Sequence, residues 1–160
     1  MRKIKNSLFI FLLVAFAAQA QAQDKGTIRA SLDVLYGEGA SEAGFNLGGE
    51  YLITSKVSAA PSYTFYFVEG EGDLTQINID ARYYLMNGPV QLYALGGYAS
   101  LRASADAGPV RITVSDGGFN FGGGVIVPLP GRLDLNAQIK YSTPGDGQAV
   151  FQGGITYTFK

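Results

Sequence analysis

The chain has 160 residues, 12 Lys and Arg against 13 Asp and Glu, no histidine, no cysteine and a net charge of −1. That balance offers no basic footprint for nucleic acid, and without His or Cys there is no transition-metal site, disulfide or His-dependent nucleophile. Charged residues make up 16% of the chain, below the about 25% of ordinary globular proteins, while glycine is abundant at 22 residues.

Residues 1–22 read as a cleaved secretory signal peptide. Arg2, Lys3 and Lys5 precede an apolar run from Leu8 to Ala18, and Ala18-Gln19-Ala20 and Ala20-Gln21-Ala22 offer small-x-small cleavage sites. The run is too short for the about 20 residues of a membrane-spanning helix, which argues against an anchor. No cysteine follows it, so lipid attachment is excluded. Removing the segment moves the net charge to −4. Residues 23–160 then suit a single domain.

Period-two alternation, the mark of a strand with two unlike faces, then recurs down the chain. The first strand, 27–36, sets Ile28, Ala30, Leu32, Val34 and Tyr36 against Arg29, Ser31 and Asp33. The second, 44–54, sets Phe45, Leu47, Gly49, Tyr51 and Ile53 against Asn46, Gly48, Glu50 and Thr54. In the third, 57–68, Pro61, Tyr63, Phe65 and Phe67 oppose Ser58, Ser62, Thr64 and Tyr66. In the fourth, 75–86, Ile77, Ile79, Ala81, Tyr83 and Leu85 oppose Gln76, Asn78, Asp80, Arg82 and Tyr84.

The fifth strand, 90–103, is apolar or small on both faces. Pairing Leu85 with Val90 across a four-residue connection puts Val90, Leu92, Ala94, Gly96 and Tyr98 on the apolar face, with Pro89 kept out of a two-residue hairpin because it lacks an N–H. The sixth, 117–127, sets Phe119, Phe121, Gly123, Val125 and Val127 against Asn120, Gly122 and Gly124. The seventh, 132–141, alternates Leu133, Leu135, Ala137, Ile139 and Tyr141 with Asp134, Asn136, Gln138 and Lys140. Between the fifth and sixth, residues 101–115 alternate in places around a turn at 106–109. They read as a hairpin extending past the membrane, either purely local or with an edge open to a partner strand.

The last stretch, 148–160, sets Phe151, Gly153, Ile155, Tyr157 and Phe159 against Gln152, Gly154, Thr156, Thr158 and Lys160. This makes eight strands, an even count as bacterial single-chain barrels require. The connections 54–56, 86–89 and 128–132 are tight. Those at 37–42, 69–73, 104–116 and 142–147 are longer and rich in glycine or acidic residues. Strands of about 10 residues with short turns on one side and long loops on the other suit a transmembrane barrel whose termini lie in the periplasm.

Alternation alone leaves open which face is inside, and a lipocalin-like soluble carrier would bury the apolar set. Composition favours the reverse. The polar set is mostly Asn, Gln, Ser, Thr and Gly with few charges, whereas a water-facing wall should be thick with Lys and Glu. Arg29, Asp33, Glu50, Asp80, Arg82, Asp134 and Lys140 would then form a lumen charge network. If Tyr36 faces Ala43, Arg29 falls opposite Glu50. Asp80 and Arg82, two apart, would make an internal pair, and Asp134 and Lys140 would supply further opposite charges.

The closing strand resembles the C-terminal assembly signal of Gram-negative outer-membrane barrels, carried by Gln152, Gly154, Tyr157 and Phe159, although Lys160 follows the aromatic that is usually terminal. With the strand count and alternation, the chain from about 27 to 159 resembles the small outer-membrane β-barrels of the OmpX and OmpA-barrel kind. The resemblance implies an all-β, eight-stranded antiparallel up-and-down transmembrane barrel, delivered by periplasmic chaperones and the barrel-assembly machinery. Its surroundings would be outer-membrane lipid and lipopolysaccharide. It implies no single activity, because the fold hosts many.

Other chemistry is weak. A carboxylate pair for sugar hydrolysis could be drawn from Asp33, Glu50, Asp80 and Asp134, but a filled eight-stranded lumen has no room for a sugar. The glycine pairs and Gly122-Gly123-Gly124 lack the helix N-terminus that a phosphate loop needs. Glu69, Glu71 and Asp73, with Glu38, Glu42, Asp106 and Asp146, make an acidic rim that reads either as solvated loops or as a weak divalent-cation site shared with lipopolysaccharide. The sequence reading is a monomeric, non-enzymatic, plugged barrel with no cofactor and a structural or surface-interaction role; a narrow diffusion channel is the alternative.

Overall fold

In a computed structural model the protein is described at residues 24–39, 42–68, 72–107 and 110–159. The predicted signal peptide, Glu69, Glu71 and Lys160 lie outside these residues, as do the side chains of Glu42 and Asp106. The strands are β1 (Ile28–Gly37), β2 (Glu42–Leu52), β3 (Val57–Tyr66), β4 (Gly72–Asn87), β5 (Gln91–Ala107), β6 (Val110–Pro128), β7 (Leu133–Ser142) and β8 (Gln148–Thr158). Each pairs antiparallel with its neighbour in sequence, and β1 closes on β8 from Arg29↔Thr158 to Gly37↔Val150. The result is a closed eight-stranded barrel, in which no strand is left as an unpaired sheet edge along its full length.

Tyr36 faces Ala43, and this register carries down to Arg29↔Glu50. One expected pairing fails. A register shift between Tyr84 and Met86 sets Met86 against Leu92 and Asn87 against Gln91, so Leu85 does not meet Val90. The extra residue is a β-bulge, which leaves Leu85 and Met86 both exposed. Pro89 sits in the short turn that remains, where its missing N–H costs nothing. The outward parity of Leu92, Ala94, Gly96 and Tyr98 is retained.

β4, β5 and β6 run to 16, 17 and 19 residues. β5 and β6 stay paired out to Ala107↔Val110 and β4 follows β5 out to Gly72↔Ala105, so the three strands form an arm beyond the rest of the wall. Thr143 and Gly145 brace its base: the Thr143 N–H donates to the Phe119 carbonyl at 2.9 Å and the Gly145 N–H to the Asp116 carboxylate at 2.6 Å.

The two faces are opposite in kind. Ile28, Leu32, Val34, Leu47, Ile77, Ile79, Leu135, Ile139 and Ile155 point outward and are exposed, while Asp33, Asn46, Glu50, Thr64, Asn78 and Asn136 are buried inside. An apolar exterior on every strand suits hydrocarbon rather than water. The soluble carrier reading falls with it.

Candidate functional site: the barrel lumen

Inward parity places all seven predicted charged residues in the lumen, six of them buried and Arg82 nearly so. Glu50 is the hub near the short-turn end. Arg29 lies 3.5 Å from its carboxylate and Arg82 3.3 Å, and the Ser58 and Tyr84 hydroxyls each donate to it at 2.5 Å. Arg29 also donates to the Tyr84 hydroxyl at 3.1 Å and to Gln91 at 3.4 Å. Arg82 donates to Gln138 at 3.1 Å, and its guanidinium stacks 4.6 Å from the centre of the Tyr93 ring, a cation–π contact. One carboxylate thus ties together β1, β2, β3 and β4.

The expected Asp80–Arg82 pair does not form. Arg82 turns to Glu50, and Asp80 instead meets Lys140 across the lumen at 3.6 Å. The Asn120 amide also donates to Asp80 at 2.9 Å. Glycines open this crossing on one side: Asp80 faces Gly97 and Lys140 faces Gly122 in the ladders, so each side chain has room toward that neighbour. Asp134 lies apart from Lys140 and accepts from the Thr158 hydroxyl at 3.0 Å.

Asp33 differs from both Glu50 and Asp80. It accepts hydrogen bonds from Ser31, Asn46, Asn136 and Gln152 at 3.1–3.5 Å, and among the described residues no cation pairs with it. Neutral donors hold a charge that Arg and Lys hold elsewhere. A chain of amides and one hydroxyl continues from there: Thr64 donates to Asn46, Asn78 to Thr64, and Gln76 and Asn120 both to Asn78.

Apolar residues lie inside as well; the alternation sets Tyr66 and Tyr84 on the polar face, whereas it does not mark Leu35, Tyr93, Leu95, Ile126 and Val150 as lumen residues. Leu35, Tyr66 and Val150 pack together toward the long-loop end, with Leu74 and Leu101 against them. Tyr84, Tyr93, Leu95 and Ile126 form a second cluster. Their signal was available in parity alone, because each shares the inward parity of its strand: Leu35 with Asp33, Tyr93 and Leu95 with Gln91, Ile126 with Asn120, and Val150 with Gln152. The space left among Arg29, Glu50, Asp80, Arg82 and Gln138 is a cavity of about 10 Å3, about the probe volume of one water molecule.

Three of the glycine pairs follow one rule. At Gly48, Gly97 and Gly154, which face inward, a Cβ would collide with Ser31, Asp80 and Asp33 respectively. At their outward neighbours Gly49, Gly96 and Gly153 it would meet nothing nearer than 3.7 Å. The inward member makes room for a lumen side chain.

The predicted assembly residues lie on β8 and just past it. Gln152 is buried and bonded to Asp33, Gly154 faces Asp33, and Tyr157 and Phe159 are exposed aromatics 5.0 Å apart. The Phe159 N–H donates to the Ile28 carbonyl at 2.9 Å. Of the acidic rim, Glu38, Asp73 and Asp146 are described, and no cluster able to hold a metal ion forms among the described residues.

A closed barrel with an apolar exterior, a polar interior and aromatic side chains near both ends defines a small transmembrane barrel of the bacterial outer membrane. The chain belongs to the outer membrane protein beta-barrel domain family, whose pattern matches residues 8–159. No curated protein sequence matches it. Among solved structures it is similar to the N-terminal β-barrel domain of Pseudomonas aeruginosa OprF, at 20% identity over 86% of this chain and all of that one, with a TM-score of 0.68. It is similar to Neisserial surface protein A, at 22% identity over 83% of this chain and 95% of that one, with a TM-score of 0.62. The Yersinia pestis attachment invasion locus protein Ail is similar at 20% identity, over 83% and 97%, with a TM-score of 0.57. At these identities the likeness is one of fold.

Proposed function

We propose that this protein is a non-enzymatic, monomeric barrel whose lumen is plugged by its own side chains, serving as a structural or surface-interaction component of the outer membrane. The observation that carries the reading is the Glu50 hub with the Asp80–Lys140 crossing, which leaves a cavity of only about 10 Å3. Water and ions would have to break buried, charge-assisted contacts to pass. A planar-bilayer recording tests it: the reconstituted wild type should show no steady conductance. A large, sustained current would instead establish the narrow diffusion channel.

The short turns and both chain termini face the periplasm in this reading, and the arm and long loops face the cell exterior. Residues 1–22 are removed on export, leaving residues 23–160. Lipid and lipopolysaccharide surround the wall, and the barrel-assembly machinery inserts it by recognising the closing strand. Exposed Phe159, held beside β1 by its backbone bond to Ile28, is the side chain best placed to be read. Phe159→Ala should therefore lower the level of folded protein in the outer membrane far more than Lys160→Ala. Equal levels of the two variants in membrane fractions would refute that recognition.

A further inference from the structure

Toward the long-loop end the outward face of β4, β5 and β6 changes from apolar to polar. Thr75, Arg102 and Ser115 form one row across these strands, and Asp73, Ser104 and Thr113 form the next. Arg111 leans across Ser104 and pairs with Asp73. The Ser104 and Thr113 hydroxyls lie 3.1 Å apart. With Tyr63 and Phe65 of β3, Arg102 and Arg111 line an open recess of about 550 Å3. Phe65 shares the row of Thr75, Arg102 and Ser115 and Tyr63 lies one outward position nearer the apolar band, so the recess is aromatic on its β3 side and cationic and hydroxylic toward β5 and β6.

Two tyrosines fix the height of this recess in the membrane. The Tyr98 hydroxyl lies against Gly117 and the Tyr141 hydroxyl against Gly147, each toward the long-loop end from its own ring. Aromatic side chains that point a polar tip this way sit at the boundary of the hydrocarbon. Arg102 follows Tyr98 by four residues on β5, roughly 10 Å further out at about 3.3 Å per residue and about 40° tilt. That is the level of lipid headgroups, within reach of a flexible arginine.

The charge is also suited. Asp73 would repel an anion, but Arg111 already neutralises it. Arg102 is exposed, and among the described residues it has no ion-pair partner. The recess therefore keeps one positive charge next to two hydroxyls, a phosphate-binding combination.

We propose that this recess holds the phosphate of an outer-leaflet phosphorylated glycolipid of the lipid A class. Arg102 takes the phosphate, Ser104 and Thr113 hydrogen-bond to it, and Tyr63 and Phe65 meet the start of its acyl chains. A soluble anion would use only the cationic and hydroxylic side of the recess; a lipid uses the aromatic side as well. The assignment rests on the orientation proposed above, which puts the arm in the outer leaflet.

The full chain folded in neutral detergent is titrated with bisphosphorylated lipid A, with dephosphorylated lipid A and with inorganic phosphate, and lipid retained per barrel is read by native mass spectrometry. Wild type should retain the bisphosphorylated lipid at least tenfold better than the dephosphorylated one. Arg102→Gln should remove most of that preference while the folded barrel stays intact. Equal retention of the two lipids, undiminished binding by Arg102→Gln, or complete displacement by an equal concentration of inorganic phosphate would each overturn the proposal. Should Arg102→Gln fail to fold, the comparison of lipids on wild type decides alone. Orientation is read separately: an epitope inserted between residues 108 and 109 that external antibody cannot reach would overturn the outer-leaflet source, whatever binds in detergent.

Discussion

Two arginine–carboxylate sites in this barrel teach opposite lessons. Inside, Glu50 is shared by Arg29 and Arg82, with side chains only 4%, 5% and 12% exposed. Outside, on the arm, Arg111 and Asp73 are 55% and 68% exposed. Both bring guanidinium and carboxylate into ion-pair contact, yet water can replace either partner outside and neither inside. Geometry says that a contact exists, while burial decides what its loss costs.

The comparison breaks most sharply at Glu50. Glu50→Ala should lower unfolding stability by about 3–5 kcal/mol, since it leaves two buried guanidiniums without their carboxylate. Urea unfolding of the refolded barrel, followed by the shift between heated and unheated forms on a gel, measures this. A loss below about 1 kcal/mol would mean that water already enters the lumen freely.

The glycine pairs sharpen the same contrast without touching a charge. Gly154→Ala should cost about 1–3 kcal/mol, because its methyl would press on Asp33 and the Leu32 carbonyl. Gly153→Ala, one residue along and facing outward with its nearest contact at 3.7 Å, should leave stability almost unchanged in the same unfolding assay. Similar effects at the two positions would argue against the inward–outward rule.

The smallest effect belongs to the arm. Arg111→Ala should alter stability by no more than about 1 kcal/mol, as exposed pairs do, and the change should shrink further when unfolding is measured in high salt. A salt-insensitive loss as large as that at Glu50 would show the arm to be folded into the barrel's stability rather than appended to it.

Much of this was legible in the alternation. Period two assigns every residue of a strand to a face once one residue is placed, and the register from Tyr36 and Ala43 brings Arg29 opposite Glu50 without further information. The length of the β5–β6 arm was legible too, because alternation continued past the apolar band. Contacts across the lumen were not. Asp80 and Lys140 lie on β4 and β7, which share no ladder, so their meeting depends on the closed cross-section and on Gly97 and Gly122. Asp33 was legible as a buried charge but not as one held by amides and a hydroxyl. The bulge at Leu85 was hidden for another reason: both Leu85 and Met86 are apolar, so the shift leaves no mark on the pattern.

The bond from Phe159 to Ile28 brings the two ends of the wall together at 2.9 Å. A ring of strands so joined has no intrinsic first member. Linking the ends and opening the chain at a different tight turn would preserve each of the eight ladders while changing which strand is synthesised last. The fold is therefore written cyclically, whereas ribosomal synthesis and export read it in one direction. Under the proposed role of Phe159 in assembly, only that residue's place in the chain depends on direction, so a permuted barrel would separate the information that shapes the wall from the information that delivers it.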